Sequence, residues 1–528
     1  MDADVKVAAL KPAPGPELGP DVRQMTTSPT RLENPEMNQP PNLLFLMSDQ
    51  HAPRITGCYG DPVVRTPNID RLAARGVTFD NAYSPSPLCV PARMSLLTGR
   101  HPSSQDCWTN SDPLASDLPT TAHALGAAGR RPILVGRLHA IGPDQLHGFA
   151  ERLVGDHSTN WVGGYAHSMG VLADTNGPFR ASLKKSGPGR SSYEVHDHDV
   201  VASTLEVLDR LAADRGEDAP PFCLNVGFML PHQPYVADPE IYHAYEGRVG
   251  LPNVPRPATS DDHPYLLWWR ETTGIEAVGE DEVLRARIAY YALVETFDRM
   301  VGRVLDRLEA LGLADNTLIV YTSDHGDQIG ERGLWWKQTF YDDSIKVPLI
   351  MSWPGALPEG ERREQVVNLI DLAPTILEAA GAPALPGADG RSFLAVARDD
   401  AAPWDDETFA EYCTDGMAPW TKGLAVQQRM VRAGPWKLVY YHGQRPQLFD
   451  LASDPQESRD LAEEPKYGAI RDELTAKVLA AWDPEDIARR MAEQRRRKEL
   501  LSAWSRSVEP PDSYRWAMKM EDNWLAEG

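Results

Sequence analysis

Five apolar runs constrain this chain more than any other feature: NLLFLMS from Asn42, PILVG from Pro132, FCLNVGFML from Phe222, NTLIVYTS from Asn316 and PLIMSW from Pro348. Each is bounded by turn-forming residues and is too short for a buried helix. That length and continuous apolarity predict strands covered on both faces. Between them lie TPNIDRLAARG, VVASTLEVLDRLAADRG and RARIAYYALVETFDRMVGRVLDRLEALG, whose apolar residues recur at three and four positions. Strands alternating with amphipathic helices predict an α/β fold: a mostly parallel central sheet sandwiched by helices.

The 528 residues are enough for a large core and a second unit. Residues 1–40 are rich in Pro, Glu, Ser and Thr without periodicity and read as a mobile N-terminal arm. Residues 41–399 form the expected α/β domain. From 400 to 483 the pattern changes to short strands, MVRAGPWKLVYYHG and QLFDL, which predict a smaller C-terminal subdomain with an antiparallel sheet. Residues 484–528 read as a helical extension that serves as an oligomer contact or a lid, implying a homo-oligomer, dimer or tetramer. Its basic run RRRKEL, Arg495 to Leu500, reads as a solvated helix face.

A net charge of −23 argues against nucleic acid and acidic membrane surfaces as partners. No run reaches the roughly 18 apolar residues of a membrane span, and MDADVKVAALKPAPGPELGP lacks the charged and apolar regions of a secretory signal. A cytoplasmic location is the expectation. Cys58, Cys89, Cys107, Cys223 and Cys413 form neither a CxxC pattern nor an even disulfide framework.

Chemistry gathers where strands end, because open α/β sheets bind ligands beyond the carboxyl ends of their strands. NLLFLMS runs into Asp49, Gln50 and His51, NTLIVYTS into Asp324, His325, Gly326 and Asp327, PILVG into Arg137 and His139, and FCLNVGFML into Pro231, His232 and Pro234. One Asp after a strand is usually a turn former; four such ends together suggest a site. Asp49, Gln50, Asp324 and His325 are the donors a divalent cation takes, hard oxygens with one imidazole. Arg93, Arg137, His139, His232 and Lys337 supply positive charge or protons, which suits a tetrahedral oxyanion. Cys89 precedes the helix-forming PARMSLLTGR, near a helix N-terminus where backbone amides attract anions, and Pro91 suits its first turn.

These residues carry a resemblance. C-V-P-A-R followed by MSLLTGR resembles the signature of the type I, formylglycine-dependent sulfatases. LFLMSDQ, GRLHAIG, LPHQPY, SDHGDQIGERGLWWK and LFDLASDPQESRDLA resemble further elements of that family, in order from about residue 41 to 465. SDQ, GPDQLHGFAERL and PFCLNVGFMLPHQPYVADP are most similar to the branch of choline sulfatases, arylsulfatases and phosphonate monoester hydrolases.

The resemblance implies an alkaline-phosphatase-like fold and a hydrolase of sulfate monoesters, with phosphonate monoesters or phosphodiesters as the alternative substrates. It implies that a separate formylglycine-generating enzyme converts Cys89 to Cα-formylglycine, whose hydrate attacks sulfur. The implied metal, Ca²⁺ or Mn²⁺, is bound by Asp49, Gln50, Asp324, His325 and residue 89. Arg93 holds the formylglycine, His139 takes the second proton of the hydrate, and Lys337 and His232 contact the sulfate and protonate the leaving oxygen. Asn110 falls where the branch places a sulfate-contacting Asn. Arg137 replaces the family Lys and reads as a charge clamp, because guanidinium does not readily release a proton. A non-catalytic oxyanion-binding relative is the third reading.

Two weaker candidates remain. HDHD, His196 to Asp199, reads as the cap and solvated first turn of a helix. Trp268, Trp269, Trp335 and Trp336 line either a leaving-group pocket or the core.

Overall fold

The computed structural model describes residues 40–216 and 219–526, so the expected arm over residues 1–39 lies outside the described residues. Eight strands form the central sheet: β1 (Asn42–Asp49), β2 (Val77–Tyr83), β3 (Pro132–Gly136), β4 (Glu151–Leu153), β5 (Cys223–Pro231), β6 (Thr317–Ser323), β7 (Leu349–Ser352) and β8 (Glu361–Asn368). Their order is β8-β2-β7-β6-β1-β5-β3-β4. All pairings are parallel except those of β7, which runs antiparallel to β2 and β6. The apolar run PLIMSW therefore enters the sheet in the reverse sense.

Burial on both faces explains the unbroken apolarity of the central strands. Along β1, Leu44 and Leu46 enter the core beneath the helices Ser192–Ala213 and Glu280–Ala310. Leu43 and Phe45 face the other way, toward Leu96 and Leu97 of the helix Cys89–Thr98 and Ala373 and Ile376 of the helix Leu369–Ala380. Alternation along a strand thus serves two helical layers. Tight backbone approach fixes one crossing: a Cβ on Gly227 of β5 would lie 1.9 Å from the carbonyl oxygen of Arg137, so only glycine fits where β3 ends.

The later segment forms a second, antiparallel sheet from Glu407–Asp415, Ala425–Ala433, Trp436–Tyr441 and Gln447–Asp450, paired in that order. The helices Gly468–Leu479 and Pro484–Val508 pack against it. Asp483 caps the second of these, accepting from the amides of Glu485 and Asp486, with Pro484 in the first helical position. The run RRRKEL departs from a fully solvated face: Lys498 is buried and bonds Asp112 at 2.6 Å and Asp415 at 2.5 Å. Beyond the helix the chain returns to the central domain, where Trp524–Leu525 pairs with Gly187–Arg190. Among the described residues no helix is long and apolar enough to cross a membrane.

Candidate active site

The order β6-β1-β5-β3 places four polar strand ends side by side. Asp49, Asp324, Arg137 and His232 therefore converge above one edge of the sheet, and the helix Cys89–Thr98 points its first residue into the group. Leu88 is extended and caps this helix without a side-chain bond, and Pro91 occupies the first turn. The Asn110 side-chain oxygen Oδ1 accepts from the Val90 amide at 3.0 Å, supplying the missing cap and bringing Asn110 beside residue 89.

Asp49, Cys89, Asp324 and His325 are buried, with ligand atoms within 4.8 Å of one another. The Cys89 Sγ lies 3.2 Å from His325 Nε2 and 3.1 Å from Lys337 Nζ. His325 Nδ1 faces the Gly326 carbonyl at 3.1 Å, so that nitrogen carries the hydrogen and the Nε2 lone pair faces the cluster. Gln50 sits at the margin: its Oε1 accepts from Lys337 Nζ at 2.8 Å, and its amide nitrogen donates to Asp327 at 2.6 Å and Gln233 at 2.5 Å. Two carboxylates, an imidazole, an amide oxygen and residue 89 fit a divalent cation.

Cationic groups balance the buried carboxylates. Arg93 donates to Asp324 at 2.9 Å and to Asp49 at 3.1 Å. Arg137 donates to Asp49 at 2.7 Å, to Asp156 at 3.0 Å and to His139 Nδ1 at 2.7 Å. Burial opposes ionisation of Asp49, and Cys89 does too, but Arg137, His232 and Arg93 prevail and hold its carboxyl well below the usual range. Burial likewise opposes the Cys89 thiolate, yet Lys337 and His325 draw the thiol far below its ordinary value. His232 is pushed down by burial and then by Lys337, whose Nζ is 3.0 Å from its Nε2.

Two site residues adopt left-handed backbone conformations, Gln50 at φ 66° and His139 at φ 61°. Such conformations cost roughly 1–3 kcal/mol each and persist where surroundings over-determine them. Here the Gln50 amide donates to Asp324 at 3.1 Å, and the His139 amide donates to Asp156 at 2.6 Å. Asp156 also accepts from Arg137 and Arg152, so one buried carboxylate shapes the whole GRLHAIG turn.

Over residues 41–382 the chain matches the sequence profile of the family described as Sulfatase, and over 330–483 that of the N-sulphoglucosamine sulphohydrolase C-terminal region. The chain belongs to the sulfatase family. The choline-sulfatase of Rhizobium meliloti (strain 1021) is 34% identical over 478 residues, covering 86% of this chain and 90% of its own. Arylsulfatase K of Canis lupus familiaris is 26% identical over 510 residues, covering 92% and 90%. Among solved structures, the phosphonate monoester hydrolase of Agrobacterium radiobacter has the same fold, with a TM-score of 0.68 at 24% identity over 83% of this chain and 95% of that one.

Within this sulfatase, the predicted residues Asp49, Gln50, Cys89, Arg93, Asn110, Arg137, His139, His232, Asp324, His325 and Lys337 all come to one region. Other candidates go elsewhere. His196 and Asp197 are fully buried in the second turn of their helix, not solvated in the first. Asp197 accepts from the amides of Met229 and Leu230 and so holds the turn leading to His232. Trp269, Trp335 and Trp336 are core residues. Sequence reasoning noted Asp327 only as part of a strand end and missed Asp156, Gln233 and Tyr235. The Tyr235 hydroxyl donates to Asp327 at 2.6 Å. None of these missed residues follows a distinctive spacing; their roles come from the partners they meet in space.

Proposed function

We propose that this sulfatase hydrolyses sulfate monoesters with residue 89, after a formylglycine-generating enzyme has oxidised Cys89 to Cα-formylglycine. One observation carries the reading: Cys89 opens a buried helix within 3.2 Å of His325 and 3.1 Å of Lys337, beside Asp49 and Asp324. The paired carboxylates Asp49 and Asp324 beside it are hard oxygen donors suited to a divalent cation rather than to activating a thiol. When present, a divalent cation, Ca²⁺ or Mn²⁺, supplies Lewis acidity on a sulfate oxygen and the hydrated aldehyde supplies the oxygen nucleophile.

The chain's own residues bind, orient and move protons. Asp49, Gln50, Asp324 and His325 would hold the cation, with Arg93 keeping both carboxylates oriented. Lys337 donates to groups on the substrate side of residue 89, and with His232 it forms the pair placed to neutralise the sulfate and protonate the leaving oxygen. Such help is typically worth ~10²- to 10⁴-fold. The Asn110 amide group adds a donor at the helix N-terminus. Arg137 acts as a clamp, its guanidinium directed to Asp49, Asp156 and His139. Because His139 Nδ1 accepts from Arg137, the proton of the neutral ring sits on Nε2. As placed, neutral His139 is therefore a donor toward residue 89, and taking the second proton of the hydrate at Nε2 requires the other tautomer, with the hydrogen on Nδ1 and the Arg137 contact given up.

Phosphonate monoesters are the second reading, favoured by the shared tetrahedral centre and the fold of the hydrolase from Agrobacterium radiobacter. Two measurements test the proposal. Mass spectrometry of the peptide containing residue 89, from protein made in its native host, is expected to show the aldehyde; thiol alone sinks the mechanism. Turnover of an aryl sulfate and an aryl phosphonate, measured side by side, is expected to favour the sulfate, and the reverse order selects the second reading. Cys89→Ala is expected to abolish both.

A further inference from the structure

A cavity of about 250 Å³ shares Asn110 and His139 with the candidate active site, Asn110 being bonded to the residue after Cys89. On the sulfatase reading, the alcohol part of a sulfate ester would occupy it. Among the described residues lining it there is no carboxylate, and Trp161 is the one large aromatic. His157, also in the wall, is kept neutral because burial holds it well below its usual range. The fixed charge in the wall is Arg515.

Arg515 is firmly carried. The carbonyl of Tyr514 accepts from the Asp156 amide at 2.8 Å, and the Trp516 amide donates to the Asp156 carbonyl at 2.8 Å, so both neighbours of Arg515 are tied to the residue that clamps Arg137. One terminal nitrogen of Arg515 donates to the Tyr165 carbonyl at 2.9 Å. Asp512 approaches only to 3.7 Å, and its oxygens accept from the Asn160 amide. The Arg515 side chain is 13% exposed, yet its Nε–H is buried and meets no acceptor among the described residues. A guanidinium keeps its charge under such conditions, so it has donors left for an incoming anion.

We propose that Arg515 is a specificity-determining residue that selects sulfate esters whose alcohol bears a second negative charge, a carboxylate or another sulfate. The inference rests on the sulfatase reading above. A quaternary ammonium alcohol is recognised by several aromatic faces; in this cavity, where Trp161 is the one large aromatic, it meets the like charge of Arg515. The choline-sulfatase of Rhizobium meliloti, 34% identical, therefore parts from this chain in the leaving group it suits.

The test uses the full-length, metal-loaded, formylglycine-bearing enzyme with four sulfate esters of similar size: choline sulfate, dimethylbutyl sulfate, carboxypropyl sulfate and propanediol disulfate. We expect kcat/KM on an anionic ester to exceed that on dimethylbutyl sulfate about tenfold, with choline sulfate lowest; which anionic ester leads tells carboxylate from sulfate. Arg515→Gln should shrink the anionic-to-neutral ratio about tenfold, whereas Arg515→Lys, which keeps the charge, should retain most of it. A preference for choline sulfate, equal rates across the series, or an unchanged ratio in Arg515→Gln overturns the proposal. Should Arg515→Gln not fold, the wild-type series and Arg515→Lys decide. Cleavage of phosphonate monoesters with no sulfate turned over ends the sulfatase reading alone, and the same four alcohols as methylphosphonate monoesters then decide the role of Arg515.

Discussion

Asp327 shows how a single buried carboxylate reaches the chemistry without touching it. One of its oxygens accepts from Gln50 and Tyr235, both at 2.6 Å, and the other from the amides of Ile329 at 2.9 Å and Trp336 at 3.0 Å. These bonds orient the Gln50 amide so that its oxygen meets Lys337, beside the cluster proposed to hold the metal. Partners of this kind typically contribute 10- to 100-fold to metal affinity. Asp327→Asn is expected to weaken divalent metal binding by about that factor, read by calorimetry on the apo-protein. An unchanged affinity would show that Gln50 is oriented by other means. The same paired carboxylate logic governs Asp156, which holds the His139 backbone and the Arg137 side chain together.

The helix Pro484–Val508 is polar over most of its surface, and its attachment depends on a few buried points. Lys498 supplies one of them, placed between Asp112 and Asp415 and also donating to Thr109 at 3.2 Å. Removing one partner of such a group leaves uncompensated buried charge, at a cost of about 3–5 kcal/mol. Lys498→Met should therefore lower the unfolding free energy by that amount, read as a lower urea midpoint with the urea dependence unchanged, and a loss under about 1 kcal/mol would mean the carboxylates find other partners. Leu500, Trp504 and Val508 recur at four-residue spacing on the same helix and are exposed. That stripe supports our proposal of a homo-oligomer, and Leu500→Glu with Val508→Glu should reduce the mass found by light scattering. A monomeric wild-type enzyme would end that proposal.

Across the whole molecule, the antiparallel sheet is joined to the central domain through Lys437, which lies 2.7 Å from Asp342 and 2.6 Å from Glu457. One ammonium serves a half-buried carboxylate, Asp342, and a buried one, Glu457, and they diverge. Burial disfavours the charge on both. For Asp342, Lys437 and Lys346 overcome it and bring the carboxyl down to about 2, whereas Glu457 is pushed up because burial and Asp342 outweigh Lys437. A carboxyl depressed on folding adds stability that is present above its unfolded value near 4 and is lost as pH falls toward 2. Near-ultraviolet circular dichroism should therefore report loosening between about pH 4 and 2. Lys437→Met should move that loss to higher pH; the same acid profile in both proteins would place the acid-sensitive junction elsewhere.

The linear chain alone determined the fold class and which polar residues meet at the strand ends. Strands buried on both faces must be apolar throughout, and residues placed at the ends of parallel strands must converge once those strands lie side by side. Asp49, Arg137, His232 and Asp324 could be read for that reason, and Cys89 because its pentapeptide resembles a family signature. Only the tertiary structure decided the antiparallel sense of β7, since an apolar run carries no direction. It also turned His196 and Asp197 inward, seated Lys498 between two carboxylates, and brought Arg515 into one cavity wall with Asn110 and His139. In each case the partner lies far away along the chain, and hydrogen bonding and charge act through distance in space, which local periodicity does not encode.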